Sequence, residues 1–174
     1  GFKGGLCLDN SCGIGNFMAT RPVNLDANIH FVACEKDAFS GGIAQILYPN
    51  YNIVVSSFEK LGIQRNIDLV IGNVPFGKLA KHDAKKPIIS KFSLHDSFIA
   101  RSVELLKPKQ IAILITSSHT MDKKSESFRR WLVGNGNCDF IGAIRLPNNT
   151  FKGTQTTSDI IIIQKRDAYV PAKY

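Results

Sequence analysis

The sequence predicts an α/β domain in which a mainly parallel sheet is covered by helices on both faces. Three observations carry this. Short apolar runs rich in β-branched residues alternate with segments of helical spacing, and strands joined through helices run parallel with both faces buried. Polar or acidic residues stand where several of those runs end, which is where ligands bind in such sheets. The last two runs have only a loop between them, so they pair antiparallel at one edge.

In chain order, residues 5–9 form the first expected strand, followed by a glycine-rich turn and a helix start. Residues 29–34 form the second. A helix is expected over 37–47, weakened by Gly41 and Gly42 and stopped by Pro49. Residues 51–55 and 67–71 read as the third and fourth strands. Asp96 is the expected N-cap of a helix whose Ile99, Val103 and Leu106 repeat at helical spacing before Pro108. Continuous apolar residues at 111–115 make a fifth strand, and Phe128, Trp131 and Leu132 mark one face of the next helix. Residues 140–146 and 160–163 supply the closing pair.

The 174 residues suffice for one domain with a real core and leave little for a second. A net charge of +8 favours a polyanionic partner, although many basic proteins bind no nucleic acid. No apolar run approaches a membrane span and no secretory leader is read, so a cytoplasmic location is expected. Cys7, Cys12, Cys34 and Cys138 lack paired Cys-x-x-Cys spacing and fall in or beside apolar segments. They read as buried free thiols rather than zinc ligands or disulfides.

The most informative stretch is Ile67-Asp68-Leu69-Val70-Ile71-Gly72-Asn73-Val74-Pro75-Phe76-Gly77. A buried strand ends on an amide, a proline that stiffens the turn, and an aromatic ring. That set suits a flat, hydrogen-bonding ring: Asn73 and the Val74 carbonyl accept from an amino group, and Phe76 stacks on the ring face. Alone, it also fits an ordinary Asn-x-Pro turn. The segment Gly5-Leu6-Cys7-Leu8-Asp9-Asn10-Ser11-Cys12-Gly13-Ile14-Gly15-Asn16-Phe17 adds a glycine turn whose backbone can approach a ligand. Its spacing is not that of the dinucleotide fingerprint, whose third glycine would fall at Met18. Glu35, at the tip of the second strand, occupies the position of a ribose-hydroxyl ligand.

Together these segments resemble the S-adenosylmethionine-dependent DNA methyltransferases of the N6-adenine kind. Asp9 to Phe17 resembles their cofactor loop, and Asn73-Val74-Pro75-Phe76 resembles their Asn-Pro-Pro-Tyr or Asn-Pro-Pro-Phe tetrapeptide. The valine variant looks like methylase domains found with helicase-like regions on mobile elements. The resemblance continues through Leu146-Pro147-Asn148-Asn149-Thr150-Phe151 and Thr156-Thr157-Ser158-Asp159. If position 74 contributes its carbonyl, the side chain can change without losing the acceptor, and Pro75 retains part of the rigidity.

The resemblance implies a doubly wound, seven-stranded, mainly parallel sheet with one reversed strand near the C-terminal edge, the class I methyltransferase architecture. It implies S-adenosylmethionine as cofactor. Gly13 and Gly15 would pass beneath its methionine part, with Ser11 and Phe17 in the same loop. Asp9 would lie near its amino group, and Glu35 at the ribose. Ser57, Phe58 and Glu59 would flank its adenine, although Phe58 also reads as core. Asn73 to Phe76 would be catalytic on a flipped-out adenine in DNA. Phe151 would add a second aromatic wall, with a core position as the plain alternative.

Between Lys78 and Lys91 stand five lysines against a single aspartate, which makes Lys78 and Lys81 candidate phosphate contacts or part of a solvated loop. Lys123, Lys124, Arg129 and Arg130 form a weaker candidate patch. His95 and His119 read as surface or helix-boundary residues, and no metal cluster is read. Residues 1–174 are expected to be one catalytic domain lacking an upstream cofactor-contacting segment and a target-recognition domain, so further domains of a parent protein are expected partners. RNA or protein-glutamine methylation, or a catalytically inactive binding module, are the alternatives.

Overall fold

The computed structural model describes residues 2–63, 66–77, 88–148, 150–151 and 156–167. Seven strands form one sheet: β1 (Gly5–Asp9), β2 (Ile29–Glu35), β3 (Asn52–Val55), β4 (Ile67–Asn73), β5 (Leu106–Ser117), β6 (Cys138–Arg145) and β7 (Ser158–Lys165). Their spatial order is β3-β2-β1-β4-β5-β7-β6. The first five strands pair in parallel, while β7 lies antiparallel between β5 and β6. The expected reversed strand is therefore β7, and the edge strand β6 runs with the rest.

Period-two side-chain alternation sends neighbouring residues of each strand to opposite faces. Leu8 and Val70 join one core cluster; Cys7 and Leu69 join the other. Helix α3 (Leu94–Leu105) brings Ile99 and Val103 to the first face, and α5 (Ser127–Val133) brings Phe128, Trp131 and Leu132. The second face is covered by α1 (Asn16–Ala19), through Met18, and by α2 (Ala38–Leu47), through Ala44. All four cysteines are buried and free.

Four expectations need correction. Strand β4 runs two residues beyond the expected 67–71, and Asn73 is its last residue. Ser93, not Asp96, is the N-cap of α3; Asp96 lies three residues into the helix and is fully buried. The helix stops at Leu105, and β5 begins at Leu106 with Pro108 inside it. Proline is tolerated there because the β4–β5 register breaks between Ile67 and Leu69, beside a left-handed Lys109 at φ 65°. A short helix α4 (His119–Asp122), which the sequence pattern did not indicate, follows β5.

Chain order reverses at β1 and β4: β2 and β3 lie to one side of β1, β5 to the far side of β4. A crevice opens beyond the carboxyl ends of strands at such a switch point. The two segments singled out in the sequence follow these two adjacent strands.

Candidate functional site

The loop after β1 is built by backbone geometry. Gly15, the N-cap of α1, has φ 92°, and a Cβ there would strike the Tyr48 ring. Gly13 is also left-handed, at φ 55°, but a Cβ there would meet open space. The loop is tied to β2 by the Cys12 N–H, which donates to the Cys34 carbonyl at 3.0 Å.

The Ser11 hydroxyl lies 2.8 Å from the Asn73 carbonyl and 3.0 Å from Asn10 Oδ1, so its single proton serves either acceptor. The glycine loop and the tetrapeptide are thus in direct contact. Asn10 is buried; its Nδ2 donates to Ser102 Oγ at 2.8 Å. Its Oδ1 would sit 2.6 Å from a Cβ at position 72, so that site on β4 requires glycine.

A cavity of about 780 Å³ opens at this rim, within the size range of small-molecule sites. Ser11 lines it from the β1 loop; Glu35, Lys36 and Asp37 from the end of β2; Ser57, Phe58 and Glu59 from the end of β3; Asn73 and Pro75 from the end of β4. Leu94 and Phe98 close it from α3. The Phe58 and Phe98 ring centroids are 5.3 Å apart, so Phe58 is both core and cavity wall. Glu35 is held rigidly: Oε2 accepts the Gly13 N–H at 2.9 Å and Oε1 the Asp37 N–H at 2.8 Å. Each oxygen keeps a lone pair for a hydroxyl donor.

Asp9 does not reach the cavity wall. It is fully buried under the loop, with Oδ1 accepting the Ser11 N–H at 3.3 Å and Oδ2 without a partner among the described residues. Burial pushes its carboxyl up to about 7; the Ser11 N–H opposes this and Glu35 adds to it. Burial likewise raises Cys12 to about 12, so this thiol in the loop stays protonated. Gly13, Gly15 and the half-buried Phe17 are likewise not among the lining residues.

At the tetrapeptide, Asn73 is exposed on the cavity and its side-chain amide bonds none of the described residues. Val74 points into the core and is 1% exposed, while its N–H donates to the Ile115 carbonyl at 3.0 Å. A proline at 74 could not make that bond, which is what the valine variant gains. Phe76 is half-buried and not among the lining residues. The half-buried Phe151 lies in the β6–β7 loop, which reaches the same rim: Ser118 N–H donates to the Thr157 carbonyl at 2.9 Å. Lys78 and Lys81 lie outside the described residues.

Two of the weaker basic candidates serve inside the fold. Lys123 pairs with Asp96, and Arg129 donates to the carbonyls of Met121 and Lys123 at 3.2 and 3.1 Å. Arg130 pairs with Glu126 at 2.9 Å. His119 opens α4 and is exposed, whereas His95 is buried in the first turn of α3. Among the described residues no three His, Cys, Asp or Glu side chains group as metal ligands, and no helix is long and apolar enough to cross a membrane. The sequence reading missed Asn10, Leu94 and Phe98. The i, i+4 spacing of 94 and 98 marks a second apolar stripe on α3 and was the available signal; Asn10 offered only an amide beside an acid.

The chain is 30% identical to the defense against restriction protein B of Escherichia phage P1, over 97% of its own length but only 8% of that protein's. A Streptococcus thermophilus type I restriction-modification methyltransferase subunit superposes on 95% of the chain with a TM-score of 0.78 and 17% identity; the chain covers 40% of it. A Listeria monocytogenes protein assigned to the class I S-adenosylmethionine-dependent methyltransferases matches 99% of the chain with a TM-score of 0.77 and 20% identity, the chain covering 57% of it. At such identities these two structures speak to the fold. The Eco57I restriction-modification methylase family model matches residues 20–150, and the chain therefore belongs to that family.

Proposed function

We propose that this chain is a methyltransferase domain that transfers the methyl group of S-adenosylmethionine to the N6 amino group of a flipped-out adenine in DNA. The observation that carries the reading is the Ser11–Asn73 contact at 2.8 Å, with both residues on one cavity. It unites a cofactor loop with an amine-accepting turn. Membership of a restriction-modification methylase family supports DNA as the substrate.

The cavity fits a nucleoside cofactor. Glu35, with both oxygens oriented by backbone N–H groups, accepts the ribose hydroxyls. Ser57 and the Phe58–Phe98 pair offer one polar contact and an apolar slab for a purine. Ser11, Gly13, Gly15 and Phe17 shape the loop under the methionine part. Asp9, with its unpartnered buried oxygen, favours a cationic group above it. When bound, the cofactor supplies an electrophilic methyl on a sulfonium, so the protein supplies orientation and electrostatics.

The Asn73 side-chain oxygen and the Val74 carbonyl accept the two protons of the target amine and aim its lone pair at the methyl. Pro75 stiffens the turn. Phe76 stacks on the extruded base, which returns roughly 1–3 kcal/mol against the unstacking cost, and Phe151 forms the facing wall. Lys78 and Lys81 contact backbone phosphates. Further parts of a longer protein supply target selection. The chain spans 8% of its phage relative, and edge strand β6 leaves Phe140, Ile141 and Ile144 exposed as a border for them to cover.

Labelled methyl transfer to duplex DNA, single-stranded DNA and RNA tests this. The expected product is N6-methyladenine in DNA, lost in Asn73→Ala. Preferential labelling of RNA, or cofactor binding with no transfer, would replace the reading by an RNA methylase or a binding module.

A further inference from the structure

The turn that carries Asn73 is pinned at two points. At its near end the Val74 N–H bonds the β5 carbonyl of Ile115 at 3.0 Å. At its far end the Gly77 carbonyl accepts the Leu94 N–H at 3.3 Å, and the Leu94 side chain packs so close to Gly77 that a Cβ there would lie 2.9 Å away. The near anchor belongs to the sheet. The far anchor belongs to the first turn of α3, so whatever fixes that turn fixes the reacting end of the tetrapeptide.

A buried polar cluster holds it. Asp96 is fully buried, and its Oδ2 receives the Ser93 hydroxyl at 2.7 Å and pairs with the Lys123 ammonium. The Ser93 oxygen also lies 3.0 Å from His95 Nε2, an arrangement that calls for the Nε2–H tautomer. Lys123 comes from the α4–α5 connection, which Arg129 braces through the carbonyls of Met121 and Lys123. The ammonium sits 5.5 Å from the centre of the Phe128 ring, a core residue. Two segments 27 residues apart are thus joined beside the catalytic turn.

Stability does not explain this cluster. The Asp96 carboxylate is buried and the Lys123 ammonium half-buried, and desolvation of such a pair offsets much of its attraction. Asp96 Oδ1 and His95 Nδ1 have no hydrogen-bond partner among the described residues, which adds to the cost. What such a pair does supply is a fixed geometry. We infer, on the basis of the function proposed above, that Asp96 and Lys123 are positioning residues: their ion pair, buried at its carboxylate end, clamps the first turn of α3 against Gly77 and so holds Asn73 and the Val74 carbonyl in register for methyl transfer.

Burial, with the nearby Arg129, draws Lys123 down to about 8, and Asp96 is its ion-pair partner. The other groups around the pair are His95 on α3, pushed down to about 4 and hence neutral, and His119 at the start of α4. Turnover is therefore expected to fall as pH rises through about 8, and Lys123→Arg, which keeps its charge, should remove that limb while retaining activity.

The test replaces the pair by apolar residues, Asp96→Leu with Lys123→Met, in the full chain. Three quantities are read: kcat, KM for S-adenosylmethionine, and amide exchange at Leu94 and Val74 against Val70 in the core. Expected are unchanged Val70 and Val74 exchange, Leu94 exchange at least tenfold faster, kcat lowered about 10- to 100-fold, and KM within twofold. Unchanged Leu94 exchange, or unchanged kcat in a wild type that methylates, overturns the inference. If the double variant does not fold, Lys123→Gln is measured in the same way, and the same results support or overturn the clamp. A wild type without methyl transfer overturns the proposed function alone, because the exchange measurement still tests the clamp.

Discussion

The two halves of the rim are built from different materials. On the β1–β3 side, backbone N–H groups do the holding: Glu35 is oriented by Gly13 and Asp37, and Asp9 by Ser11. On the β4–β7 side, charged side chains hold: Asp96 with Lys123, and Arg145 with both Asp122 and Asp159 at 2.9 Å. In the first half Glu35 faces the cavity and Asp9 is buried beneath the loop. The second is a set of cross-links beside the turn after β4, where the Asn73 side-chain amide bonds none of the described residues. A backbone-built half tolerates surface change and responds to ligand groups; a side-chain-built half responds to single charge deletions.

The largest effect should come where the halves meet. Asn73→Ala removes the side-chain acceptor and is expected to lower transfer about a thousandfold, or about 4 kcal/mol, while cofactor affinity in calorimetry stays within a few fold. Equal losses in both would mean that the two halves are not separable.

Next is Asp9. Its carboxyl is raised to about 7, so its neutral form is the one the fold favours. Its contribution to stability is fully present below about pH 4 and lost as pH rises through about 7. Asp9→Asn should flatten that loss, a difference on the order of 3 kcal/mol between urea curves at pH 4 and pH 8. Parallel pH dependence in both proteins would show the carboxyl to be hydrated.

Glu35→Gln should weaken S-adenosylmethionine binding about 10- to 30-fold, near 2 kcal/mol, with kcat at saturation retained. A fall in kcat alone would move Glu35 from receptor to chemistry. The smallest effect is expected at Val74→Pro. It restores the usual tetrapeptide but deletes the N–H to Ile115 and should cost about 1–2 kcal/mol in denaturation. A more stable variant would show that ring rigidity outweighs the bond.

The strands were legible because continuous apolar runs such as 111–115 have no other home than a sheet covered on both sides. The convergence of Glu35, Ser57 and Asn73 followed from strand ends sharing one rim. Errors arose where one residue type serves two ends. Asp96 has the chemistry of a cap, but Ser93 precedes it and takes that place, leaving the carboxylate to a lysine that no local pattern announces. Pro108 reads as a stop, yet a register break accommodates it inside β5. Asn10 acquires its role only through Ser102 and Gly72, residues distant in sequence.

The lone proton of Ser11 has a mechanical corollary. Because it bridges the bends after β1 and β4, those bends travel as one solid jaw instead of two fingers.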